Sequence, residues 1–308
     1  MAQTGAVGDK IFRTLLTIAA ATILIIVVGI FVMMTQASLP SLERFGFGFL
    51  FGREWRPAQN EFGALPFIWG TVISSLLALI MAVPVSLGIA IFLVEQAPRK
   101  VARPIAFMVE LLAAIPSVVY GLWGIFVLAP LIRNYIGPFL QDNFGWLPLF
   151  QGRLTGIGML TAGIILALMI TPIITAVVRD VLEAVPVTQR EAALALGATR
   201  WETTVIVLGN AASGIAGAIV LGLGRAIGET MAVTMVIGNS PQISMSLFEP
   251  ANTIASLLAA NFAEATDRLY MSALIEIGLV LFLVTFVVNA LAKLMIMGVV
   301  SGNKTKHV

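Results

Sequence analysis

Six stretches of this chain are each long and apolar enough to cross a lipid bilayer, and no other feature restricts its fold so sharply. They run near 11–34, 67–94, 105–132, 154–178, 211–238 and 271–298. A membrane-spanning helix needs about 20 mostly apolar residues. The bilayer core offers no water to the backbone, so spans of this length must be helical. The expected fold is therefore an all-α polytopic membrane protein, a single transmembrane domain over residues 1–308 with no dividing linker and no obvious internal repeat. Composition agrees, at 59% hydrophobic and 11% charged residues, against about 25% charged in a soluble domain. The first stretch exceeds the roughly 7–15 residues of a signal-peptide core, and Thr35-Gln36-Ala37 is a poor cleavage site, so it reads as a retained helix.

Several chemistries are excluded at once. There is no cysteine, hence no disulfide and no thiolate metal site or nucleophile. The single histidine is His307, next to the last residue, which leaves no basis for a histidine-based catalytic or metal centre. No Gly-x-x-x-x-Gly-Lys-Ser/Thr phosphate loop occurs, nor His-Glu-x-x-His, nor Gly-x-Ser-x-Gly. The chain reads as a non-enzyme, without a cofactor or metal of its own and without a nucleic-acid partner. Any energy for work must come from another subunit.

Positive charge orients the spans. With the N-terminus inside, eleven of the 18 Lys and Arg fall in inner segments and six in outer ones, with Arg225 left within a span. Both termini and the segment 179–210 are thus expected in the cytoplasm. The outer segments 35–66 and 239–270 are long. The first mixes aromatics, prolines and charges and suits a short ordered surface. The second holds an apolar run from Asn252 to Asn261 that suits an interfacial or re-entrant helix.

Within 179–210 the sequence turns polar and rich in helix-end signals. Thr188 followed by Glu191, and Thr199 followed by Glu202, each read as a capping box. Gly197 lies between them, where a left-handed residue would end the first helix. The local reading is a helix of about two turns, a tight turn and a second helix. Helices this short are marginal alone, so they must pack on something. An ordinary cytoplasmic helical hairpin is the plainer alternative to a docking element.

Apart from Arg13 and Lys293, which are counted with the inner segments, four ionisable residues fall inside the apolar stretches: Glu110, Arg225, Glu229 and Glu276. Charge at the bilayer centre costs about 3 kcal/mol or more, so each needs a partner or a wet path. Glu110 and Glu276 stand about six residues from the ends of their stretches, and the favoured reading is that both reach an interface. Arg225 stands near the middle of the fifth stretch with Glu229 one helical turn further out. A self-neutralising i, i+4 pair is one reading. The order is the weaker one for a helix, however, and a deep arginine suits an oxyanion, with Glu229 moderating affinity so that the ion can leave. Ser213, Gly214, Gly217, Ala218, Gly222, Gly224 and Gly228 make the same stretch suited to a tight helix interface. Gly222-x-Gly224 followed by Gly228 is one residue too long for a dinucleotide fingerprint, and no strand precedes it.

Two sets of residues carry a family resemblance. Glu191-Ala192-Ala193, three residues, then Gly197 resembles the EAA loop of ABC-importer permeases; the family's later Ile-x-Leu-Pro is replaced here by Val207, Leu208, Gly209 and Asn210. Longer runs resemble the phosphate-importer permeases of PstC type: Glu61 to Pro66, Glu110 to Gly124, and Gly222 to Val233. The Arg-Ala-x-Gly-Glu core alone is shared with sulfate and molybdate permeases, whereas the run Ala114 to Gly124 and Glu229-Thr230-Met231-Ala232 favour phosphate.

The resemblance implies a type I ABC importer permease, MetI-like, with six transmembrane helices and a cytoplasmic EAA coupling helix. It implies a second, PstA-type permease, a PstB-type ATPase dimer binding ATP, and a PstS-type periplasmic phosphate-binding protein. It links Arg225 and Glu229 to passage of the anion, and Glu191, Ala192, Ala193 and Gly197 to ATPase coupling. A permease for another oxyanion, or a proton- or sodium-coupled carrier using Glu110, Glu229 and Glu276, stands as the alternative. A carrier would be expected to show inverted repeats and helices broken at mid-membrane.

Overall fold

The computed structural model describes residues 3–304; Lys306 and His307 lie outside the described residues. The fold is almost wholly helical. In chain order its main helices are α1 (Gln3–Phe45), α2 (Leu65–Gln96, ending in a π-helical turn), α3 (Arg99–Ala113), α4 (Ser117–Phe144, with two π-helical turns), α5 (Met159–Glu183), α6 (Val187–Ala195), α7 (Arg200–Ile227), α8 (Met231–Val236), α9 (Ile254–Asn261) and α10 (Arg268–Lys304). Among the described residues six helical segments are long and apolar enough to span a membrane, in α1, α2, α4, α5, α7 and α10.

α5 is the centre of the bundle. Of its apolar window 67% is buried, more than in any other of the six. Ile165, Ile170 and Ile174 are fully buried, and Ala78, Ala82 and Ala90 of α2 pack in the same core. Alanines on one helix and branched side chains on the other let the two backbones approach. α7 runs antiparallel to α5. A Cβ on Gly214 would strike Val181, and one on Gly222 would strike Ile174, so these glycines are required by close packing.

The apolar stretch near 105–132 is divided in the structure. Pro116 lacks the N–H a continuous helix needs, so α3 stops at Ala113 and α4 begins at Ser117. The Tyr120 hydroxyl donates to the Leu112 carbonyl at 2.8 Å across the break, pairing one of the carbonyls a helix end leaves open.

At the end of the bundle away from α6, α1 stops at Gly46, whose φ is +52°. A two-strand ladder follows, β1 (Trp55–Arg56) against β2 (Glu61–Phe62), closed through left-handed Asn60. Trp55 meets Phe62 and Phe67 edge-on with ring centroids at 5.0 Å, and Phe62 stacks on Tyr270 at 5.5 Å. This aromatic knot ties the segment after α1 to α2 and α10, and it is the ordered surface expected of 35–66. The long segment 237–253 caps α5: the Glu249 and Leu247 carbonyls accept from Met159 N at 3.2 Å and Leu160 N at 2.7 Å. α9 then opens with a Thr253–Ser256 capping box and is buried at Ile254, Ala255, Ser256 and Leu257 within the protein.

Candidate functional site

The candidate residues fall in two clusters. The first is the α6 hairpin. Gly197 has φ +88°, Ala198 N donates to Ala193 O at 3.1 Å and Gly197 N to Leu194 O at 3.0 Å. These are the two bonds of a Schellman motif, which closes a helix through a left-handed glycine. Two residues later Thr199 caps α7: its Oγ1 accepts from Glu202 N at 3.3 Å, and the Glu202 carboxylate accepts from Thr199 N at 2.7 Å. The box expected at Thr188 and Glu191 does not form. The chain leaves Pro186 already extended, so α6 begins at Val187 and Thr188 falls inside the first turn rather than at the cap.

The hairpin has two unlike faces. Ala193 is buried, at 7% exposure, while Glu191, Ala192 and Gly197 face outward. Around them Val187, Leu194, Leu196 and Trp201 are exposed apolar side chains, Leu196 at 90%. The buried face is held by a clamp that the sequence reading did not single out. Arg190 Nη2 and Nε donate to Glu95 Oε1 at 2.9 and 3.1 Å, Nη1 to Val185 O at 2.7 Å, and Nη2 to Leu182 O at 2.8 Å. One guanidinium therefore joins α6 to the π-helical end of α2, to a last-turn carbonyl of α5 and to a carbonyl of the turn that follows it. Asn210 Nδ2 donates to Gln189 Oε1 at 2.8 Å, so the departure from the family's Leu-Pro is where α7 is tied back to α6. Arg190 and Glu95 are 95 residues apart, and no local spacing reveals such a pair.

The second cluster is Arg225 with Glu229. They do not lie one turn apart within an unbroken helix. α7 ends at Ile227, Gly228 caps it, and α8 starts at Met231. Arg225 is in the last turn of α7, where the helix dipole favours a cation. Glu229 stands just ahead of α8, and its Oε1 accepts from Ala232 N at 3.3 Å, one of the first-turn donors a helix leaves unpaired. Each charge is thus compensated by its own helix end. The ion pair itself is one contact, Arg225 Nη2 to Glu229 Oε2 at 3.4 Å, and it is lopsided: the Glu229 side chain is 4% exposed and that of Arg225 is 50% exposed. Continuing the pairing of Gly214 with Val181 and Gly222 with Ile174 and Ile170, Arg225 is level with the middle of α5.

The other two intramembrane acids part ways. Glu110 is 54% exposed and pairs with Arg179 at 3.0 Å. Glu276, expected to reach an interface, is instead 3% exposed and its Oε2 has no hydrogen-bond partner. It sits one turn from Ser272, whose hydroxyl accepts from Ser41 N of α1 at 3.1 Å, because α1 covers that face of α10. The break at Gly228 also means that an interrupted helix does not separate carrier from permease here.

Comparison with known proteins defines the class. Residues 86–299 match the model of the binding-protein-dependent transport system inner membrane component, and the chain belongs to that family: it is a multi-pass permease component of an ABC transporter. Among curated relatives, it is 48% identical to a phosphate transport system permease protein PstC of Xylella fastidiosa over 94% of this chain and 91% of the relative. It is 46% identical to a protein of the same name in Mesorhizobium japonicum, over 95% and 91%. With a probable PstC of Methanocaldococcus jannaschii it shares 39% over 82% of each chain. A solved structure, the MetNI methionine ABC transporter in inward-facing conformations, aligns with TM-score 0.54 at 18% identity over 77% of this chain and 95% of that one. That likeness shows a MetI-type permease fold.

Proposed function

We propose that this chain is the permease subunit of an ATP-driven importer that moves inorganic phosphate into the cytoplasm. The observation that carries the reading is the asymmetry of the Arg225–Glu229 pair. The carboxylate is buried and bonded to α8, while half the guanidinium side chain stays open at mid-depth. A pair serving only to neutralise itself would bury both partners. An exposed donor fork suits a tetrahedral oxyanion, and the names of relatives at 39–48% identity favour phosphate over sulfate or molybdate.

The rest of the machine is supplied by partners. The exposed apolar face around Glu191, Ala192 and Leu196 is the docking surface for a PstB-type ATPase dimer, which binds the ATP. A PstA-type permease completes the transmembrane pore, and a PstS-type binding protein delivers phosphate from the periplasm. Both termini are then cytoplasmic. Alternating access follows when the ATPases move α6, and the Schellman turn at Gly197 passes that movement to α7.

Phosphate uptake by the assembled complex tests the reading. Arg225→Gln should abolish uptake with assembly intact, and Arg225→Lys should keep part of it. The double change Arg225→Gln with Glu229→Gln should stay inactive. Wild-type-like uptake in the double variant would mean that only an unpaired charge had been harmful, and the anion-path reading would fall.

A further inference from the structure

Two breaks in the helices of this chain lie at the same depth. Glu110 of α3 meets Arg179, near the inner end of α5, at 3.0 Å. A Cβ on Gly124 of α4 would strike Ile165, near the outer end of α5. α3 and α4 together therefore run antiparallel to α5, and Pro116, between them, is level with its middle. The packing of Gly222 on Ile174 puts Arg225 and the break at Gly228 within about a turn of that level. The two breaks are also neighbours. A Cβ on Gly121 would strike Ala232 and Met235 of α8, and one on Gly124 would strike Val236. α4 and α8 thus start together at mid-depth and run outward side by side.

Neither break is covered by the chain itself. Ala113, Ala114 and Pro116 are exposed, as are Arg225 and Gly228. Non-helical backbone at membrane depth is not tolerated against lipid; it must be buried in protein or line a water-filled cavity. The half-open guanidinium at the neighbouring break selects the wet alternative, because a charge at that depth needs a partner or a wet path. Ser117 is the polar side chain that this arrangement brings to the cavity. It stands one helical turn before Gly121, on the face of α4 that meets α8, level with the turn Gly228–Met231, and it is only partly covered. Thr230 in that turn already donates its proton to Gly228 O at 3.2 Å, so it has only lone pairs to offer, whereas a serine hydroxyl both donates and accepts.

We propose that the anion path runs between these two breaks and that Ser117 is a substrate contact within it, its hydroxyl donating to a phosphate-class tetrahedral anion on the outer side of Arg225. Such an anion carries bare and protonated oxygens near neutral pH; Ser117 serves the first and the Thr230 lone pairs the second. The proposal rests on the reading of Arg225 as the anion's contact. Several weak contacts in sequence let an ion both enter and leave, which a single tight site does not.

The test uses the whole importer in liposomes and exploits a chain that has no cysteine of its own. In Ser117→Cys the thiol should react with a charged methanethiosulfonate added on both sides, because the reactive form is the thiolate, which needs water, and inorganic phosphate should slow that reaction several-fold. Ile25→Cys, on the exposed apolar flank of α1, should stay inert. Ser117→Ala should lower the uptake of radiolabelled phosphate per assembled complex about tenfold, the size of one hydrogen bond to a charged group, and Ser117→Thr should recover most of it. If Arg225→Gln abolishes uptake while the Ser117→Cys thiol is inert or indifferent to phosphate, the contact is refuted and the Arg225 reading stands. Wild-type uptake by Ser117→Ala refutes it equally. Labelling of Ser117→Cys that appears only when the second permease is removed would assign the α3–α4 break to that subunit and overturn the proposal. If Arg225→Gln is itself silent, both readings fall.

Discussion

The clamp between Arg190 and Glu95 gives the most quantitative test of how α6 is held. The two side chains are 18% and 11% exposed, so neither is freely solvated. Arg190→Met leaves Glu95 without its cation and takes one donor each from the Leu182 and Val185 carbonyls. Removing one partner of a buried pair costs about 3–5 kcal/mol, and the remaining exposure places this case at about 3. Glu95→Leu leaves Arg190 bonded to two carbonyls, which soften the loss. Removing both charges together should be much less harmful than the two single losses added. A double-mutant cycle by SDS titration of the purified chain should therefore give a coupling of about 2 kcal/mol or more. In the intact importer, Arg190→Met should raise the ATP hydrolysed per phosphate imported, because α6 would move without carrying α2 and α5. A coupling within about 0.5 kcal/mol of zero would refute the clamp as an energetic unit, whatever the distances.

Three further outcomes are expected. Gly197→Val places a β-branched residue at φ +88° with open space around it, so the penalty is backbone strain of about 1–2 kcal/mol rather than collision; ATPase co-purification should fall while membrane insertion is kept, and Gly197→Asn should be milder. Thr199→Ala should destabilise the start of α7 by about 1 kcal/mol, whereas Thr188→Ala, which removes no cap, should leave thermal stability unchanged. Single cysteines at Gln59 and Asn143 should react with an impermeant thiol reagent from outside, and one at Thr188 only after permeabilisation; outside labelling at Thr188 would reverse the orientation and remove α6 from reach of an ATPase.

What the sequence disclosed follows from how locally each feature is encoded. Apolar length alone announces spans, and the Thr199–Glu202 box and the Gly197 turn are each written within four residues, so they were legible. The Thr188 box was equally well spelled but lost to Pro186, which set the helix start two residues too early for Thr188 to cap it. The break at Gly228 was hidden because the apolar run continues through it to Val236. Glu276 was misjudged because its burial depends on α1, more than 200 residues away in sequence. The Arg190–Glu95 clamp is long-range in the same sense: only the packing of α2, α5 and α6 brings the two side chains into contact.

α7 runs without interruption from its Thr199 cap to Arg225, and that makes it a stiff lever rather than a passive wall. Its first residue belongs to the α6 hairpin, and Arg225, 25 residues on, is about 37 Å away along the axis at about 1.5 Å per residue. A tilt of only about 5° at the hairpin end swings the far tip by about 3 Å, roughly one hydrogen-bond length. Because the rod stops at Gly228, α8 need not follow that swing. The arginine can draw away from the Glu229 carboxylate bonded to α8, and the 3.4 Å contact between them becomes a gap whose width reports the angle of the rod.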